Sequence, residues 1–257
     1  MRDPFDIAPE GHEPRAPMRA AEAPRDMPKR FYDSVDHAVR EDGLFVLRLD
    51  ARPVKTPARA PLAVASRRLA DALVAEWMAQ RSVIDPLTMP LTRLVNAAID
   101  GVAADPAPVR AEILRYAGTD LLCYRAEYPA RLVALQDAAW NPLIDWMHER
   151  FGARFVLAAG IMPVTQFPET IAAVDAALGQ PSPLQLAALS TVTTLTGSAM
   201  LALAVLHARL TARQAWDAAH VDENFEIELW GEDAEAAARM AARWDEMQAA
   251  ALAIAGV

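Results

Sequence analysis

Between His220 and Asp233 the chain reads HVDENFEIELWGED, which places six carboxylates in fourteen residues. A histidine opens the stretch and Trp230-Gly231 nearly closes it. Acids crowded beside a histidine suit three kinds of chemistry: binding a metal, acting as a general acid and base, or presenting charge to another protein. Spacing gives no support to a metal. The five histidines, at 12, 37, 148, 207 and 220, include no two at ligand spacing. Catalysis needs a second group beside the first. Glu223 with His220 or Asp120, in a small hydrolase-like site, is the alternative to carry forward, and it depends wholly on tertiary folding.

The element that carries these acids looks helical. Thr211-Ala-Arg-Gln214 has the form of a capping box, and Gly231 can end a helix begun there. At about 100° per residue, Trp216, His220, Glu223, Ile227 and Trp230 share an arc of about 80°. Val221, Phe225 and Leu229 lie opposite. Asp222 and Glu226 occupy one flank, and Asp217, Asn224 and Glu228 the other. One apolar stripe should face the core, and the other a second layer or a partner. Glu223 falls within the aromatic stripe. A carboxylate partly desolvated there favours a cation, supplied by one of this chain's own arginines or by another protein.

Other elements must hold that helix. RFYDSVDHAV and GLFVLRLD read as two strands across Glu41-Asp42-Gly43, followed by the extended pieces RPVKTP and PLAV. Ser66 caps a helix with Leu69, Leu73 and Trp77 at four-residue spacing. Ile84 to Pro90 reads as extended, and LTRLVNAAID as a helix. Beyond about Ala107 the periodicity is helical. TDLLCYRA is ambiguous between strand and helix, Pro142 should kink or divide the helix around it, and ARFVLAAGIMPV reads as a short extended piece. ETIAAVDAALG closes at Gly179, and SPLQ, residues 182–185, starts another helix. The fold class is α+β: a small N-terminal antiparallel sheet with helices, then a larger, mainly helical domain. The boundaries are a disordered tail over 1–29, an N-terminal α/β domain over 30–104 and a helical domain over 105–257. No internal repeat is visible.

Composition narrows the function. The 257 residues carry a net charge of −9 with no basic block, which argues against nucleic acid as a partner. One cysteine, Cys123, permits no internal disulfide and reads as a small packed residue. The first 28 residues hold six prolines, mix acids with bases and contain no apolar signal core. Ala176 to Ala208 lacks any Asp, Glu, Lys or Arg, but its Ser, Thr and Gln content and two prolines favour a buried central helix over a membrane span. No phosphate-binding glycine loop, G-x-S-x-G or H-E-x-x-H is present. Thr196-Gly197-Ser198 lies in an apolar helical run and suits close helix packing.

With these residues in view, the chain resembles a known family. RFYDSV (30–35), LDARPVKTPARAPLAV (49–64), AEWMAQRSVIDPLTMPLTRLVNAAID (75–100), RYAGTDLLCYRA (115–126) and DENFEIELWGED (222–233) are similar, in order and spacing, to the assembly chaperones of the F-type ATP synthase catalytic head. The likeness is to the member that handles the α subunit in mitochondria and alphaproteobacteria. WNPLIDWMHERFG and LTGSAMLALAV fit as well, so the resemblance runs from about residue 30 to the end.

The resemblance implies a non-enzymatic protein without nucleotide, metal or other cofactor. It would bind the unassembled α subunit, prevent its aggregation and release it to β, in a bacterial cytoplasm and without stable membrane insertion. The acidic Trp-Gly element falls on Asp222, Glu223, Trp230 and Gly231. The expected partner-contact set is Glu223, Asp222, Glu226, Trp230 and Trp216, with no catalytic or metal-binding residue. Glu76 and Trp77 match the family's first helix, where Trp77 should hold the N-terminal domain together. Gly118, Thr119 and Asp120 match without a role. Ala51 stands where the family has Gly, which argues against a positive-φ turn there.

Overall fold

The computed structural model describes residues 27–160 and 164–256. The expected 1–29 tail therefore lies outside the described residues except for its last three. β1 (Val35–Val39) pairs antiparallel with β2 (Phe45–Leu49), from Val35 opposite Leu49 to Val39 opposite Phe45. Gly43, at φ 81°, supplies the left-handed position of the turn. β3 (Arg52–Pro53) and β4 (Ala63–Val64) both pair antiparallel with β2.

The turn between β2 and β3 departs from expectation. Asp50 and Ala51 adopt φ 46° and 63°, so Ala51 takes the left-handed conformation without being glycine. Asp50 compensates locally. Its carboxylate accepts from the Ser34 amide at 2.9 Å, the Asp33 amide at 3.1 Å and the Ser34 hydroxyl at 3.1 Å. These bonds hold its pKa below the ordinary carboxylate value.

α1 (Arg67–Ala79) is capped by Ser66, whose hydroxyl accepts from the Leu69 amide. Leu69 and Leu73 are buried under the sheet. The Ile84–Pro90 stretch is not wholly extended: Pro86–Thr88 forms one 3-10 turn, because Asp85 caps it by accepting from the Leu87 amide. α2 (Pro90–Ala97) continues into a π-helical turn at Ala98–Val102. α3 (Ala107–Gly118) leads to a 3-10 turn at Leu121–Cys123 and then β5 (Tyr124–Arg125).

α4 (Ala130–Phe151) passes through Pro142 as one helix. Pro142 lies on its exposed side, as does Ala138, whose carbonyl would have received the missing N–H. Water can satisfy that carbonyl, while Trp140, Leu143 and Met147 anchor the other side in the core. β6 (Ala158–Ala159) pairs parallel with β5. It is the one strand in ARFVLAAGIMPV, of which residues 161–163 lie outside the described chain. α5 (Pro168–Leu178) ends at Gly179.

The uncharged segment forms two buried helices, α6 (Pro183–Thr196) and α7 (Ala199–Leu206), where one central helix was expected. Gly197, at φ 67°, breaks them apart. No helix among the described residues is long and apolar enough to cross a membrane. α8 (Ala212–Ala219), α9 (Val221–Trp230) and α10 (Ala234–Ala255) complete the chain. α10 packs on α6 and α2, and one cluster of buried apolar side chains runs from Leu47 to Ile254. The class is thus the expected one, a small antiparallel sheet followed by a larger helical region.

Candidate partner-binding site

The acidic stretch does not continue the helix begun at Thr211. That capping box forms as expected, but α8 stops at Ala219 and α9 restarts at Val221. The cause is tertiary. The Trp140 indole of α4 donates to the Ala218 carbonyl at 2.7 Å, and His220 Nδ1 donates to the Trp216 carbonyl at 2.7 Å. Two acceptors of the last turn are thereby bonded to side chains. The His220 amide closes on Asp217 instead, one residue short of a helical bond.

The break dissolves the single aromatic stripe. Trp216 is 6% exposed and His220 4% exposed; they stack with ring centroids 4.1 Å apart, and Trp244 sits 5.5 Å from Trp216. Trp230, at the other end of the supposed stripe, is 85% exposed. Of the five expected contact residues, Trp216 thus offers only an edge.

α9 is held by its other face. Phe225 is buried against α4, with the Arg131 guanidinium 5.7 Å from its ring centroid, and Arg131 also pairs with Glu228. Asp222 accepts from Gln136 Nε2 at 2.7 Å, so it is committed to α4. Gln136 is itself buried, with its carbonyl oxygen accepting from the Ala126 amide. This leaves Glu223, Glu226, Ile227 and Trp230 turned outward. Glu223 has no ion-pair partner among the described residues, so no arginine of the described chain takes the role considered for it. Trp230, Ile227, Glu223 and Glu226 line one wall of a groove of about 640 Å³, whose other wall is α10.

Asp120 is in a different place. It is fully buried, and its two carboxylate oxygens accept from the Leu122 amide at 3.2 Å and the Met200 amide at 3.0 Å. Ser198 and the Ala199 amide also reach it. It therefore closes the N-terminus of α7 from the neighbouring loop. Burial outweighs these bonds and pushes its carboxyl up to about 6. Cys123 beside it is buried and its thiol is pushed up to about 12, chiefly by burial. Gly118 and Thr119 end α3 and deliver Asp120 to this corner.

Glu76 plays the same part for α2. Its oxygens accept from the Leu91 amide at 2.7 Å and from the Thr92 amide and hydroxyl at 2.8 Å. Trp77 donates its indole N–H to Thr92 Oγ1 at 3.1 Å and packs 5.7 Å from Tyr32, so it ties α1 to α2 as expected. Sequence spacing contained no sign of either capping acid, because each serves a helix distant from it along the chain.

Glu223, His220 and Asp120 do not converge. Glu223 faces the groove, the His220 ring is bonded inside the core, and Asp120 is enclosed under α7. The hydrolase-like arrangement thus has no site. No group of three metal-ligating side chains occurs among the described residues.

Comparison with known proteins identifies the family. The profile of a family described as the ATP12 chaperone protein matches residues 29–148. A crystal structure of a chaperone candidate from Agrobacterium tumefaciens is 48% identical over 90% of this chain and 86% of its own, with a TM-score of 0.85. The Atp12 structure from Paracoccus denitrificans is 40% identical over 88% of this chain and 97% of its own, with a TM-score of 0.79. The chain belongs to the ATP12 chaperone family. A point mutant of the Paracoccus denitrificans protein superimposes equally well, with a TM-score of 0.79 at 39% identity. The ATP12 chaperone function implied by the sequence resemblance therefore holds for this chain. α9 lies outside the residues that the family profile matches.

Proposed function

We propose that this ATP12 chaperone serves the assembly of the F-type ATP synthase catalytic head by holding the unassembled α subunit, and that the outward face of α9 makes the contact. The observation carrying the reading is an 85%-exposed Trp230 beside Glu223, which has no ion-pair partner among the described residues, on a helix whose other face is locked to α4. An exposed tryptophan flanked by acids has the composition of a binding anchor rather than of a solvated helix. An unassembled subunit exposes apolar surface that aggregates, and a rim of carboxylates would steer its encounter and keep the complex reversible.

Glu223, Glu226 and Trp230 form the centre of the contact on this reading. Asp222 and the edge of Trp216 support it from behind. The division near residue 104 and a bacterial cytoplasmic location belong to the same proposal. Co-expression with the α subunit tests it: a soluble 1:1 complex is expected with the wild-type chain. The complex should be lost with Glu223→Lys and Trp230→Ala, while their melting temperatures stay unchanged. An α subunit that stays insoluble beside the wild-type chain would overturn the reading.

A further inference from the structure

The groove between α9 and α10 is open because each helix is anchored elsewhere. α9 is fastened to α4 through Phe225, Asp222 and Glu228. α10 is fastened to α6, where Arg243 donates to the Leu195 carbonyl at 2.7 Å, and to α8 through Trp244 and Trp216. Gly231, at φ 87°, turns the chain between them, and Asp233 caps α10 by accepting from the Ala236 amide at 2.8 Å. Neither helix fills the space left, about 640 Å³.

The lining has a definite chemistry. Ile227, Trp230, Ala236, Ala237 and Met240 make it apolar, with Ile227 itself 41% exposed. The cations at its edge are engaged: Arg239 pairs with Glu235 at 2.6 Å, and Arg243 holds Leu195. Asp233 is engaged as the α10 cap. Three carboxylates along the groove, Glu223, Glu226 and Glu232, have no ion-pair or hydrogen-bond partner among the described residues. The groove is thus an apolar trough with a net negative rim, in which Glu223, Glu226, Glu232 and Asp233 outnumber Arg239 and Arg243.

We propose that this groove receives a basic amphipathic helix of the client protein. Its apolar side chains would lie against Ile227, Trp230 and Met240, and its Lys or Arg side chains would face Glu223, Glu226 and Glu232. The inference rests on the reading that α9 meets the client, and it names the kind of segment taken there. Both walls are helices, and α9 is ten residues long, about 15 Å, which matches two to three turns of a helix presenting anchors at i, i+3 or i+4 and i+7. A second copy of this chain is a poor occupant, since a molecule of net charge −9 would set acid against acid.

The probes are three dye-labelled peptides of equal length: an amphipathic Leu/Lys helix, a Leu/Glu helix of the same pattern, and a Leu/Lys scramble without an apolar face. Fluorescence anisotropy with the full chain should show the Leu/Lys helix binding at least tenfold tighter than either control. Ala237→Trp, which fills the trough, should weaken that binding tenfold or more. So should the exposed pair Glu226→Gln with Glu232→Gln, which retains a readout should Ala237→Trp misfold. Equal binding of the scramble, unchanged affinity in the Glu226→Gln/Glu232→Gln chain, or a dimer in place of a 1:1 complex would overturn the proposal. If Ala237→Trp loses the peptide yet still captures the α subunit, the groove is not the client's site, while the reading of α9 stands.

Discussion

Two sets of acids in this molecule have opposite fates. Asp120, fully buried, and Glu76, partly buried, are aimed at the N-termini of α7 and α2, where backbone amides take their lone pairs. Glu223 and Glu226 stand on α9 facing the groove, with no hydrogen-bond or ion-pair partner among the described residues. The first set stabilises helix junctions, because an unbonded amide at a buried helix start is costly and a carboxylate there also meets the positive end of the helix dipole. The second set contributes nothing comparable to the fold and is free to meet a partner. Local density of acids therefore misleads as a guide to importance for folding: within the crowded stretch Asp222, Glu228 and Asp233 are tied to the fold while Glu223 and Glu226 have no partner among the described residues, and two scattered acids close helix starts elsewhere.

The largest expected effect tests the buried side of that contrast. Asp120→Ala strands buried amides at the α7 corner and should destabilise the protein by about 3–4 kcal/mol in urea unfolding. Titration adds a signature. The folded Asp120 keeps its proton to about 6, whereas the unfolded chain releases it near 3.8. The folded state thus binds the extra proton between these values, so the proton-linked part of the stability is full below pH 3.8 and is lost as pH rises through 6, while the amide bonds to Asp120 remain. Asp120→Asn should remove that fall from the stability-versus-pH curve; an identical curve in the variant would break the comparison.

Glu76→Ala should cost somewhat less, about 2 kcal/mol, because the site is only partly buried and water can reach the freed amides. The folded fraction should capture the client as the wild type does. Glu223→Lys tests the opposite side: client affinity should fall at least tenfold, about 1.4 kcal/mol, with no change in melting temperature. A melting temperature lowered by several degrees would move Glu223 into the first set. The smallest effect belongs to a site outside both sets. Ala51→Gly relieves the left-handed alanine between β2 and β3 and should stabilise by about 1 kcal/mol, read as a rise of a few degrees in melting temperature.

The local signals were legible where one short segment contains both halves of an interaction. The Ser182 and Thr211 capping boxes, the Gly43 hairpin and the Leu69–Leu73 stripe all form as read. Legibility failed where a side chain from a distant segment decides the backbone. Between Thr211 and Gly231 the periodicity has no glycine or proline to mark a break, yet Trp140 of α4, with the local help of His220, creates one. Pro142 carries the strongest local breaking signal in its helix, yet α4 runs through it because that side faces water.

By itself, the order of residues determined the α+β class and most of the helix starts, because these follow from periodicity and capping within short segments, and it carried the family resemblance in the succession of its motifs. Only the tertiary structure decided which acids face inward, that Trp216 and Trp230 part company, and that a groove opens between α9 and α10. The reason is physical: burial and hydrogen-bond competition are set by what packs against a residue, and those neighbours lie tens of positions away along the chain.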